Sequence, residues 1–88
     1  MIKENPWYVY IIETDKGFYY TGITTDIDRR FKEHKSNKKK GARFFRSSKP
    51  IKIIYFEKYE NRSLATKREI EIKKMTKLQK VLLVNKGS

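Results

Sequence analysis

YVYIIETDKGFYYTG, residues 8–22, decides the fold. From Trp7 to Glu13 the chain is rich in aromatic and β-branched residues, which suit a pleated, half-buried strand. Thr14-Asp15-Lys16-Gly17 is turn chemistry, with Gly17 able to take the left-handed position. Phe18 to Ile23 returns as a second arm, so the stretch predicts a β-hairpin. Side chains alternate across a strand, which puts Tyr8, Tyr10 and Ile12 on one face and Trp7, Val9 and Ile11 on the other. On the second arm Phe18, Tyr20 and Gly22 share a face, with Tyr19, Thr21 and Ile23 opposite. Four tyrosines on one hairpin admit three uses: cross-strand packing, a stacking platform for bases, or chemical reagents.

Outward from the hairpin, Thr25-Asp26-Ile27-Asp28 has the form of a capping box with a short acid in its last position. Ile27, Phe31 and His34 then recur at i, i+4 and i+7, predicting a helix of about ten residues. Residues 35–50, KSNKKKGARFFRSSKP, have no usable period and read as a long basic loop. Ile51 to Glu57 predicts a third strand, buried on both faces or nearly so. Asn61 is placed to cap a second helix running through Met75, with Leu64, Ala65, Ile72 and Met75 as its apolar positions. Thr76-Lys77-Leu78-Gln79 is a further capping box, opening a third helix through Val84 that Gly87 ends. The order β-β-α-β-α-α predicts an α+β fold, a small three-stranded antiparallel sheet flanked by three helices. At 88 residues, one domain over 1–88 with one modest core is expected.

Charge narrows the function. The chain carries 22 Lys and Arg against 10 acids, a net charge of +12. Between His34 and Phe56 there is no acid, and eight Lys and Arg fall in that window. A surface with mixed signs would only keep the protein soluble, whereas such a one-signed run favours a polyanion through counter-ion release. Lys38, Lys39, Lys40, Arg43 and Arg46 are the candidate phosphate contacts, with nucleic acid, DNA or RNA, as the expected partner ahead of a membrane surface. The absence of cysteine excludes disulfides and thiolate metal sites. No apolar run approaches the roughly 20 residues that span a bilayer, so no membrane role is expected. The N-terminal MIKENPW lacks the apolar stretch of a secretory signal. A cytoplasmic or nucleoid-associated monomer is the expectation, with targeting left to a protein partner.

Tyr-Val-Tyr at 8–10, Tyr-Thr-Gly at 20–22 and DIDRRFKEH at 26–34 together resemble the GIY-YIG nuclease family, in particular its small single-domain bacterial branch. The resemblance continues through GARFFRSSKP, IKIIYFE and SLATKREIEIKKM, nearly the whole chain. It implies that Tyr10 and Tyr20 are the two motif tyrosines and that Gly22 closes the second half-motif. It also implies that Arg30 is the arginine of the first helix, that His34 is the histidine one turn later, and that Glu69 binds a single divalent metal, Mg²⁺ or Mn²⁺. Taken from the residues alone, Arg30 would be a snorkelling side chain at the core edge or a phosphate clamp. His34 would be a half-buried structural histidine or a proton-transfer group. Periodicity leaves Glu69 and Glu71 equivalent, on the two flanks of a face centred near Arg68; the family pattern, not the spacing, favours Glu69.

The resemblance implies a metal-dependent endonuclease acting on DNA in repair or recombination. A phenol of unperturbed pKa about 10 is a poor base at neutral pH, so nearby cations must lower it or it merely orients the water. Three features depart from the family pattern: the first half-motif lacks its glycine, Ile23 follows Gly22 where excision-repair relatives carry lysine, and no asparagine follows the glutamate at the usual distance. They keep a second reading alongside the first, a nucleic-acid-binding module with the same fold and little or no catalysis.

Overall fold

The structure is a computed structural model that describes residues 5–36, 45 and 47–87. Its elements are β1 (Trp7–Thr14), β2 (Tyr19–Thr24), α1 (Ile27–Ser36), β3 (Pro50–Tyr59), α2 (Arg62–Lys73) and α3 (Lys77–Gly87). The three strands form one antiparallel sheet in the order β2-β1-β3, so the aromatic first arm of the hairpin is the central strand. This is the expected α+β arrangement in the expected order.

The hairpin turn closes where expected. Gly17 takes φ +79 and donates to the Thr14 carbonyl at 3.0 Å. Phe18 falls outside the second strand, and its amide hydrogen-bonds the Thr14 hydroxyl at 3.1 Å. Asp15 ties the turn to the start of β3, accepting from the Lys49 amide at 2.9 Å.

Strand alternation splits the aromatic residues as the period requires. Val9 and Ile11 pack against Ala65 and Ile72 of α2, all four fully buried, with Met75, Leu83 and Val84 closing the layer. Each such buried aliphatic stabilises the fold by about 1.5–3 kcal/mol. Tyr10 and Ile12, equally buried, face the other way, toward α1. The helix starts follow their caps. Asn61 accepts from the Leu64 amide at 3.0 Å, and Thr76 and Gln79 exchange side chain-to-amide bonds at 2.8 and 3.2 Å, a complete capping box.

Three local expectations are corrected. The cap of α1 is Asp26, whose carboxylate accepts from the Arg29 amide at 3.0 Å, so the cap lies one residue beyond Thr25. Strand β3 is longer than Ile51–Glu57 and is not buried on both faces: as an edge strand it leaves Ile51 and Phe56 more than half exposed. Leu64, read as an apolar contact of α2, lies on its exposed side.

Candidate active site

The site begins with the register of the hairpin. Tyr10 stands opposite Gly22, and Tyr20 opposite Ile12, so the two motif tyrosines are diagonal neighbours on one face. Their rings lie 6.3 Å apart between centroids. Gly22 is what allows this. A methyl group there would stand 2.5 Å from the Tyr10 hydroxyl oxygen and 3.1 Å from the Tyr20 ring. The glycine of the second half-motif is therefore the space into which the first tyrosine folds.

Helix α1 supplies the next two groups. His34 is buried, and its Nε2 lies 2.9 Å from the Tyr10 hydroxyl. Its ring packs on Tyr20 at 5.2 Å and on Phe45 at 4.6 Å, so three aromatic rings enclose it. Burial, reinforced by the Arg30 charge, pushes the imidazole down to about 4. The ring is neutral at pH 7, and its bond to Tyr10 is one between uncharged partners. Arg30, one turn before His34, is partly exposed and bonds Glu33 at 2.9 Å. Its guanidinium lies close enough to Tyr10 to favour the phenolate by charge and hydrogen bonding. Arg29 is exposed, as its place on the helix requires.

Helix α2 supplies the carboxylate. The two acids that spacing could not separate have different surroundings. Glu71 is 65% exposed and pairs with Arg68 at 3.3 Å. Glu69 is 19% exposed, lies 3.4 Å from the Lys73 ammonium, and its charge raises both Tyr10 and Tyr20. Tyr10, Tyr20, Arg30, His34 and Glu69 thus share one electrostatic neighbourhood.

Neither phenol is activated in this state. Burial raises Tyr10 well above the ordinary tyrosine range, and the Tyr20 charge adds to it; Arg30 only partly offsets them. Tyr20 is also raised, again by burial, against the lowering charges of Lys73 and Arg30. Ile23, half-buried, joins the apolar layer under α2, so the position after Gly22 contributes packing and no charge.

Among the described residues no group of three or more His, Cys, Asp and Glu gathers to hold a metal. Glu69 alone, mostly shielded and beside two phenols, suits a hard divalent ion. Such an ion takes one or two carboxylates and keeps water or phosphate oxygens for its remaining positions. A shallow groove farther along the same face, lined by Tyr8, Asp26, Asp28 and Phe56, carries acids that would repel phosphate and none of the site residues.

Lys38, Lys39, Lys40, Arg43 and Arg46, read from the sequence as phosphate contacts, lie outside the described residues. Sequence reasoning missed Phe45, Glu33 and Lys73. The i, i+4 spacing of Glu69 and Lys73 was a readable signal for the last; Phe45 sits in an aperiodic loop that gave none. It also missed a network beside the site, in which Glu57 accepts from Tyr59 at 2.6 Å, from Tyr55, and from a forked Arg68 at 2.9 and 3.1 Å. That network staples β3 to α2 and fixes the rotation of the helix that presents Glu69.

The family model described as the GIY-YIG catalytic domain matches residues 6–81. The chain is 45% identical over 80 residues to a UPF0213 protein of Cupriavidus necator, covering 91% of this chain and 85% of that one. It is 40% identical over 83 residues to the UPF0213 protein YhbQ of Escherichia coli K12, covering 94% and 81% respectively. Among solved structures, the solution NMR structure of the UPF0213 protein BH0048 from Bacillus halodurans matches with TM-score 0.60 and 38% identity, over 94% of this chain and 87% of that one.

Proposed function

Because this chain belongs to the GIY-YIG catalytic-domain family, we propose that it is a metal-dependent endonuclease hydrolysing phosphodiester bonds in DNA, in repair or recombination. The observation that supports this most is the meeting of Tyr10, Tyr20, His34 and Arg30 within reach of the Glu69 charge, from β1, β2, α1 and α2.

Hydrolysis forms a bond from a water oxygen to phosphorus, that water releasing a proton to solvent, and breaks the bond to one ester oxygen, which leaves as alkoxide and takes a proton back from solvent. Arg30 is placed to neutralise the phosphate as negative charge builds, its planar fork matching two phosphate oxygens. Tyr10 and Tyr20, raised by burial, serve in this state to hold and orient the water. The neutral His34 ring fixes the Tyr10 hydroxyl and gives it a partner for proton exchange. Glu69 would hold Mg²⁺ or Mn²⁺, which when bound acts as a Lewis acid on phosphate and leaving-group oxygens.

Tyr10→Phe, Tyr20→Phe and Arg30→Gln should each lower metal-dependent nicking by about 10²-fold or more, with circular dichroism unchanged. Nicking at the wild-type rate in all three variants would remove these groups from the chemistry.

One observation favours the second reading, a binding module of the same fold: both phenols are raised and Ile23 brings no cation to the site. On that reading the protein retards a plasmid on a gel with or without metal and never nicks it.

A further inference from the structure

Apart from the basic run at 35–50, cationic side chains gather at the corner between α2 and α3. Lys73, Lys77 and Lys80 stand at i, i+4 and i+7 across that junction. Lys73 reaches Glu69 at 3.4 Å, so one end of the group touches the catalytic neighbourhood. Lys77 lies over the Tyr19 ring, 3.7 Å from its centroid, and donates to the Gly17 carbonyl at the hairpin tip. The next residue, Phe18, leaves 53% of its surface exposed. Lys80 is partly buried, and after burial the charges that bear on it most are those of Lys77 and Lys73, which lower its affinity for a proton. Lys77 and Lys73 thus bear on Lys80 as like charges, and Lys77 is seated on Tyr19 at the start of β2, next to the half-exposed Phe18. A polyanion relieves that repulsion.

On the reading that this chain binds nucleic acid, we propose that Lys73, Lys77 and Lys80, with Phe18 at the hairpin tip, form a track that seats a single-stranded stretch of nucleic acid. The lysines take successive phosphates, and Phe18 offers its face to an unpaired base, a combination typical of single-strand grooves. A fully paired duplex hides its base faces and gains only the phosphate contacts. The track leads into the Glu69 site through Lys73, so it would present a junction or a frayed end to the chemistry.

The test is fluorescence anisotropy of a labelled oligothymidylate with the full chain, in EDTA so that binding is read without cleavage, across about 50–200 mM salt. Lys77→Gln/Lys80→Gln should weaken binding about tenfold and flatten the salt slope by about 1.4, the loss of two single-strand phosphate contacts. Lys80→Gln alone, which spares the Lys77 contacts with the hairpin, should flatten it by about 0.7. Lys52→Gln/Lys58→Gln, on the edge strand away from β2, should cost less than about threefold, since general charge acts over a screened distance. Phe18→Ala should weaken binding about fivefold with the slope unchanged. Equal losses in the two lysine pairs would overturn the track, since only total charge would then matter. An equally tight wild-type complex with a blunt duplex of the same length would overturn the single-strand assignment. A wild-type chain that binds neither would overturn the nucleic-acid reading itself, and the track with it.

Discussion

Gly22→Ala is the substitution that bears most sharply on how this site is built. The added methyl carbon would stand 2.5 Å from the Tyr10 hydroxyl oxygen and 2.7 Å from the ring carbon that bears it. Ordinary contact begins near 3.4 Å, so the phenol must retreat by about 1 Å. Its room to do so is small. Tyr10 is 2% exposed on the central strand, bonded to His34 at 2.9 Å and crossed by the Tyr20 ring, itself 3.1 Å from the new methyl. Overpacking of this kind costs about 1–3 kcal/mol, and we take about 2 kcal/mol including the weakened bond to His34. In a domain of this size that lowers Tm by about 8–16 °C. A 1 Å displacement of a reacting group can also cost about 10²-fold in rate, so nicking should fall further than the stability loss explains. Thermal and urea unfolding beside a nicking assay below the variant's Tm reads both effects. A Gly22→Ala protein melting within about 2 °C of wild type would refute the close-approach argument.

Other outcomes follow from the same contacts. Gly17→Ala tests the hairpin turn: at φ +79 with open space around it, the cost should be backbone strain alone, about 1 kcal/mol, and Gly17→Asn should recover most of it. His34 is the chain's one histidine, and its folded value near 4 lies below the ordinary 6.5, so the unfolded chain takes the proton first as pH falls. Its contribution is complete above about pH 6.5, shrinks as pH falls, and is gone near 4, a loss on the order of 3 kcal/mol. Urea unfolding at intervals between those values should show the slope in wild type, and His34→Phe should abolish it between about pH 6.5 and 5, before most carboxylates titrate. Arg68→Met should lower stability by about 1–2 kcal/mol, because Glu57 keeps two tyrosine donors and some solvent but loses its cation. Oligonucleotide affinity should be retained in that variant, as checked by the same anisotropy titration.

The parts of the fold that were legible in the sequence are those governed by local periods. Alternation placed Tyr10 and Tyr20 on one face and Val9 and Ile11 on the other, and a helical turn brought Arg30 and His34 together on α1. The capping chemistry of Asn61 and Thr76 marked two helix starts for the same reason. What stayed hidden depends on residues far apart in the chain. Arg68 sits in the middle of the apolar face of α2 because Glu57, on β3, absorbs its charge, and no local pattern announces that pairing. Once Arg68 is so anchored, Glu71 is drawn to it on the exposed side and Glu69 is left toward β2, a distinction that helical spacing alone does not make. The exposed edge of β3 was missed because Ile51, Ile53, Ile54 and Phe56 look apolar throughout, while burial depends on which strand becomes central. The raised phenols were equally out of reach, since burial at Tyr10 outweighs the cations that a sequence displays.

The central claim is that Glu69 brings a divalent ion to a site built to hydrolyse a phosphodiester. The most direct test is nicking of supercoiled plasmid with Mg²⁺, with Mn²⁺ and with EDTA, wild type beside Glu69→Ala. Glu69 is an acid on a helix flank whose ion pair among the described residues is with a half-exposed lysine, so its removal should leave the melting curve within about 0.5 kcal/mol of wild type. Cleavage that requires metal and disappears in a folded Glu69→Ala protein is the predicted result. Metal-dependent cleavage that persists in Glu69→Ala would contradict the claim.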